Sequence, residues 1–302
     1  MSPRQDSTVR VTVEGRELSI SNLDKVLFPE VGFTKGQLIE YYMHVAPAML
    51  PHVRDRPVTL RRYPDGVESK SFFEKHVPSH APDWVRTVAV PTSDGTGAVE
   101  YAVLSDLPTL IWAANLGSIE LHVPLWRAGR RRKLPGPPDF MVFDLDPGEG
   151  TTVVECAIVA GYVSERLGER GIEAFAKTSG SKGLQVYTAL EPRTTWDALR
   201  EDAHGIARTL EAEHPELIVS NMRKSLRPGK VLIDWSQNHS AKTTVAVYSV
   251  RARPEPTVSA PVTWKEVQRC AKGGDPALLR FDTDAVLARL RKTPDLFAPL
   301  AR

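Results

Sequence analysis

The sequence predicts an α+β fold in which mixed or antiparallel sheets are flanked by helices. Two observations carry this. Segments with apolar residues at every second position recur, often in pairs, and between them run stretches with apolar residues at helical spacing behind cap residues. A third observation bounds the class: 302 residues, 41% hydrophobic and 25% charged, is ordinary globular composition and excludes a mainly disordered chain. No run approaches the roughly 18 consecutive apolar residues of a membrane span, so no membrane partner is expected. The first residues contain no apolar secretory core, and Cys156 and Cys270 form neither a CxxC pair nor a disulfide framework. The expected compartment is the cytoplasm.

The elements follow in order. Val9 to Ile20 reads as two strands around Glu14-Gly15. Thr34 caps a helix over 35–49, whose Leu38, Tyr42, Val45 and Met49 share one face. Strands are expected at 58–63, 86–90 and 99–104. Asp106 and Pro108 open a short helix that Gly117 stops. In 119–123, Ile119, Leu121 and Val123 take one face and Glu120 and His122 the other. Pro135-Gly136-Pro137-Pro138 is a loop that separates an N-terminal part (about 1–134) from a second part (about 135–302) within one domain. Beyond it come a strand at 140–145, a helix at 152–167, strands at 174–177 and 184–190, and a helix at 194–213. Strands at 231–235 and 243–250 and helices at 263–270 and 284–291 close the chain.

Net charge is only +2, but the basic residues cluster. Arg127, Arg130, Arg131, Arg132 and Lys133 form one run, Arg223, Lys224, Arg227 and Lys230 a second, and Lys242, Arg251 and Arg253 a third. Such clusters suit phosphate, and they equally suit a solvated loop.

Asp144-Leu145-Asp146 ends an apolar strand. A period of two puts both carboxylates on one side, where they repel unless a cation lies between them. Their hard oxygens suit Mg²⁺ or Mn²⁺; a pair that caps the following turn is the alternative. The motif of the haloacid-dehalogenase phosphatases fails here, because Gly148 stands where Thr or Val is needed. Ser179-Gly180-Ser181-Lys182-Gly183 lies between two strands, so it is no Walker A loop. Its small residues allow backbone N–H groups to approach phosphate, or simply make a tight turn. Asp234, within an apolar strand, needs a partner: a shared metal or a neighbouring Arg. Three carboxylates, a Gly/Ser/Lys loop and several cations together suggest two-metal phosphoryl transfer.

In order along the chain, Leu121-His122-Val123-Pro124-Leu125-Trp126, Phe143-Asp144-Leu145-Asp146-Pro147-Gly148-Glu149-Gly150, Thr178-Ser179-Gly180-Ser181-Lys182-Gly183-Leu184 and Asp234-Trp235-Ser236-Gln237-Asn238 resemble the polymerase domain of bacterial ligase D, in the archaeo-eukaryotic primase superfamily. The similarity runs from about residue 15 to the last residues. No ligase or nuclease segment accompanies it in this sequence, so the chain resembles the stand-alone actinobacterial primase-polymerases. The resemblance implies a primase-polymerase fold with its catalytic site in the cleft between sheets, the second part being the catalytic module. It implies that Asp144, Asp146 and Asp234 bind two divalent ions, Mn²⁺ or Mg²⁺, and that His122, Ser179, Lys182, Arg227, Gln237, Lys242 and Arg251 surround an incoming NTP or dNTP. Gln185 stands where the family usually has a phosphate-reaching His; an amide donates a hydrogen bond but carries no charge.

The same resemblance makes Asn22, Lys25 and Lys35 a pocket for a DNA 5′-phosphate, and Phe72 and Phe73 a stacking surface for the template. The expected substrate is gapped or broken DNA with a 5′-phosphate, filled in during repair with a preference for ribonucleotides. A separate DNA ligase and a Ku-like protein are the expected partners. De novo priming, and a non-catalytic DNA-end binding or bridging role, are the alternatives.

Overall fold

The computed structural model describes residues 8–92, 95–129 and 134–301. Its hairpin of Thr8–Val13 and Arg16–Ser21 turns on Glu14 and Gly15, both at positive φ, as a two-residue hairpin requires. Helix α1 (Lys35–Val53) begins at Thr34, whose hydroxyl and the Gln37 side chain cap each other's backbone N–H groups. It buries the predicted face of Leu38, Tyr42, Val45 and Met49. Helix α2 (Leu107–Asn115) starts on the Asp106 carboxylate and stops before Gly117, at positive φ. Helices α3 (Val153–Gly168) and α4 (Trp196–Glu213) are capped by Thr152 and Thr195. Helices α5 (Trp264–Gly273) and α6 (Thr283–Lys292) follow Thr263 and Asp282.

Two sheets matter for function. One has four strands, in the order Thr244–Val245, Ser118–Val123, Thr59–Arg62, Phe72–Glu74. The other has six, in the order Ile218–Val219, Val231–Asp234, Phe140–Pro147, Leu184–Ala189, Phe175–Thr178, Pro261–Val262. Only the pair of Ile218–Val219 with Val231–Asp234 is parallel in this sheet. Alternation divides the Phe140–Pro147 strand between two cores. Phe143 and Leu145 pack with Val159, Val163 and Leu199 of α3 and α4, whereas Val142 joins Leu121, Tyr42 and Tyr248 on the opposite face. Asp144 and Asp146 lie on the Val142 side, the side toward the four-stranded sheet.

Some boundaries differ from expectation. The strand expected at 243–250 covers only Thr244–Val245. Past it, Tyr248 takes a positive φ and its N–H bonds to the Ser259 carbonyl, so the alternation there reflects packing rather than a ladder. The strand at 231–235 ends on Asp234, and Trp235–Gln237 turns into a 3₁₀ helix. The strand Phe72–Glu74, in a segment read only as an aromatic pair, pairs with Thr59–Arg62. Residues 130–133 of the first basic run lie outside the described residues. Among the described residues no helix is long and apolar enough to cross a membrane.

Candidate active site

Asp234, Asp144, Gln185 and Lys177 stand side by side across four neighbouring strands. Asp144 pairs with Asp234 on one side and with Gln185 on the other, and Gln185 pairs with Lys177. Laterally paired residues point to the same face, so this row and Asp146, two residues along, share one face of the six-stranded sheet. Burial, and then Asp146 and Asp234, push the Asp144 carboxyl up to about 7, against the Gln185 hydrogen bond and the Lys177 charge. The Asp146 carboxyl is raised by burial and by Asp234, with Arg227 and Arg251 opposing. Among the described residues Asp234 is held by hydrogen bonds and makes no ion pair with arginine. Its Oδ1 accepts from the Ser236 N–H at 3.0 Å and hydroxyl at 2.5 Å, and its Oδ2 from Gln237 Nε2 at 3.0 Å. Lys242 Nζ donates to the same Ser236 hydroxyl at 2.5 Å.

Among the described residues, no group of three or more His, Cys, Asp or Glu is gathered ready to hold an ion as it stands. The chemistry of the donor set nevertheless fits a divalent cation. Three hard carboxylates share one face, and the crowding that raises Asp144 and Asp146 is what a cation between them relieves.

The loop 179–183 is shaped by close approaches. A Cβ at Gly183 would sit 2.0 Å from the Leu145 carbonyl oxygen, and one at Gly180 2.6 Å from Val258. Opposite, a Cβ at Gly148 would sit 1.9 Å from the Arg227 carbonyl oxygen. Ser179 Oγ accepts from the N–H of Ser181 at 3.2 Å and of Gly183 at 3.0 Å. Those two N–H groups therefore hold the loop's own shape, while the exposed Lys182 stands free of it and lines a cavity of about 710 Å³ with Thr152, Ser181 and Arg280. Arg251 Nη1 donates to the Ser179 carbonyl at 2.7 Å, and Arg227 Nη2 to the Met222 carbonyl at 2.7 Å. The Nε of each guanidinium is buried without a hydrogen-bond partner.

On the four-stranded sheet Glu120 is 1% exposed. Its Oε2 lies 2.9 Å from His122 Nε2, and its Oε1 accepts from the Ala252 N–H at 3.1 Å and lies 3.3 Å from Arg251 Nε. Arg61 Nη1 is 3.5 Å away. Burial alone would raise this carboxyl, but His122, Arg251 and Ala252 bring it down to about 2. Burial, the largest influence on His122, keeps its imidazole below its ordinary value. A depressed carboxyl stabilises the fold above its unfolded value and loses that contribution as pH falls through the folded one. Stability is therefore expected to drop by about 3 kcal/mol between pH 4.5 and pH 2. Acid titration of unfolding should show this loss in the wild type and lack it in Glu120→Gln.

A family model described as LigD, primase-polymerase domain, matches residues 34–297. The chain belongs to this family. It is 42% identical over 289 residues to the multifunctional non-homologous end joining DNA repair protein LigD of Mycobacterium tuberculosis, covering 94% of this chain and 37% of that protein. It is 34% identical over 277 residues to the bifunctional non-homologous end joining protein LigD of Bacillus subtilis, covering 91% and 43%. The chain thus spans about two fifths of the length of these relatives. The structure of the polymerase domain from M. tuberculosis ligase D in complex with DNA matches with a TM-score of 0.87 at 41% identity, over 94% of this chain and 98% of that one.

In this LigD-family fold the other predicted residues fall into two places. Phe72 and Phe73 are 43% and 58% exposed, so this pair is surface and not core. Arg62 lies over Phe72 at 5.3 Å and Arg61 over Phe73 at 5.2 Å, while Phe73 meets His122 edge-on at 5.7 Å. Asn22, Lys25 and Lys35 gather at the start of α1. Asn22 takes a positive φ, the Lys25 N–H donates to its carbonyl, and the Lys35 N–H donates to the Lys25 carbonyl. Lys35 Nζ donates to the Ser21 carbonyl at 2.6 Å, and Lys25 pairs with Asp65 at 2.7 Å. Burial, and then Lys25 and Arg62, lower Lys35 to about 8.

Three residues here escaped the sequence reading. Lys177 is 1% exposed, donates to Ser259 Oγ at 2.6 Å and the Val245 carbonyl at 3.2 Å, and is brought by burial to about 7. A lysine in an otherwise apolar strand was the available signal. Arg62 and Glu120 left none, because their partners lie far off in sequence.

Proposed function

We propose that this chain is a template-dependent nucleotidyltransferase that fills short gaps or extends DNA ends, preferring ribonucleotides. The observation that carries the reading is the row of Asp144 and Asp234 beside Asp146, three carboxylates on one sheet face whose repulsion the surrounding cations and donors only partly offset. Asp144, Asp146 and Asp234 would hold Mn²⁺ or Mg²⁺; bound there, the ions supply charge neutralisation at the triphosphate and a more acidic primer 3′-hydroxyl. The chain's own side chains do the positioning. The Gln185 amide steadies Asp144 from the neighbouring strand, and Ser236 and Gln237 fix both oxygens of Asp234. Arg227, Arg251 and Lys242 bring cations around the carboxylates, where a triphosphate needs them, and Lys182 offers a further cation from the adjoining loop. Phe72 and Phe73 offer faces on which any template base stacks. Lys25, Lys35 and Asn22 take the downstream 5′-phosphate. A separate ligase to seal the product and a Ku-like end-binding protein fit this role.

Primer extension on DNA with a short gap tests the reading. Templated addition, stronger with NTP than with dNTP, is expected. Tight binding without incorporation in either Mn²⁺ or Mg²⁺ would instead make the chain an end-binding factor. Lys35→Met keeps the bulk and removes the charge. It should erase the preference for a 5′-phosphate over a 5′-hydroxyl end, a difference of about tenfold in Kd, the scale of one charge-assisted hydrogen bond. Fluorescence anisotropy on the two ends reads it.

A further inference from the structure

We infer that Glu120 is a positioning residue that sets both the tautomer of His122 and the orientation of Arg251 for the incoming nucleotide; this rests on the nucleotidyltransferase reading above. Glu120 meets His122, Arg251, Arg61 and the Ala252 N–H. It is 1% exposed and accepts from two different elements. His122 Nε2 at 2.9 Å belongs to its own strand, and the Ala252 N–H at 3.1 Å to the segment after Tyr248. Arg251 Nε at 3.3 Å and Arg61 Nη1 at 3.5 Å complete its surroundings.

A carboxylate can only accept. The hydrogen between Glu120 and the imidazole therefore lies on His122 Nε2, which leaves Nδ1 as the unprotonated nitrogen. Arg251 is fixed from two sides, with Nε toward Glu120 and Nη1 on the Ser179 carbonyl at 2.7 Å. Its Nη2 takes part in neither contact. Arg61 extends the same anchor to the template side, where it lies over Phe73 at 5.2 Å. One buried carboxylate thus ties the two nucleotide-facing side chains to the stacking surface.

Glu120→Gln separates this role from a merely structural one. Gln keeps the shape and can still accept from the Ala252 N–H, but it carries no charge for Arg251 and Arg61. KM for the incoming nucleotide should rise about tenfold, on the scale of a lost charge-assisted contact. Turnover should stay within a few-fold, and Kd for gapped DNA and the circular dichroism spectrum should be unchanged. Wild-type His122 should show ¹⁵N shifts of the Nε2–H tautomer at neutral pH, and the variant a mixture.

An unchanged KM overturns the inference, as does a loss of activity that only tracks the folded fraction. Should Glu120→Gln fail to fold, the wild-type spectrum still decides: an Nδ1–H tautomer or a protonated ring at neutral pH overturns it. A wild type that binds DNA without incorporating nucleotide defeats the nucleotidyltransferase reading, and with it the nucleotide-positioning role. The spectrum would then still report whether Glu120 sets the tautomer.

Discussion

Asp144→Asn is expected to lower templated nucleotide addition by about three orders of magnitude, the several kcal/mol of charge stabilisation that a bound metal contributes. The same change should make the metal-free protein more stable. The Asp144 carboxyl is raised from 3.8 to about 7, so the folded state favours its protonated form. That contribution is complete below pH 3.8 and is lost as pH climbs through 7. At neutral pH the ionised group therefore costs the fold, on the order of 2 kcal/mol once water in the open cleft is allowed for. Asparagine removes this cost. Thermal unfolding at neutral pH should show a higher Tm for Asp144→Asn than for the wild type without divalent ions, and added Mn²⁺ should raise Tm only in the wild type. Activity and stability then move in opposite directions, which a simple packing defect does not produce.

Gly183→Ala is expected to have the largest effect on the fold near the site. Its Cβ would meet the Leu145 carbonyl oxygen at 2.0 Å, and backbone cannot swing aside as a long side chain can. Leu145 lies between the two aspartates, so relief of the clash must move the strand that holds them or the loop that carries Ser179 and Lys182. A cost of about 3 kcal/mol is expected from forced overpacking. Urea unfolding reads the cost, and incorporation by the remaining folded protein should fall as well. Gly150→Ala is the control: its Cβ would meet nothing within 4 Å, although its positive φ still imposes modest strain.

What was legible in the sequence was local. Thr34 announced its helix because a cap bonds within one turn. Asp144 and Asp146 declared a shared face because strand periodicity is a property of neighbouring residues. The family motifs brought Asp234 to the same site before its strand pairing with Asp144 was on view. What stayed hidden was non-local. Phe72–Glu74 becomes a strand only because Arg61 and Arg62 lie opposite Phe73 and Phe72. Glu120 reads as one polar residue on an alternating strand until Arg251 and Ala252 arrive from far along the chain. Lys177 gains its place from the Gln185 and Asp144 rows beside it. The alternation from 243 to 250 misled because burial in an irregular segment can mimic a strand's pattern.

The most direct test of the central claim is a divalent-ion titration of single-nucleotide addition on gapped DNA. It would compare the wild type with Asp144→Asn, Asp146→Asn and Asp234→Asn. Expected is templated addition that rises from nothing with Mn²⁺ or Mg²⁺ in the wild type and is lost in all three variants, each of which still binds the DNA. Addition that persists under chelation, or that survives replacement of Asp144, would contradict a catalytic metal site built from these three carboxylates.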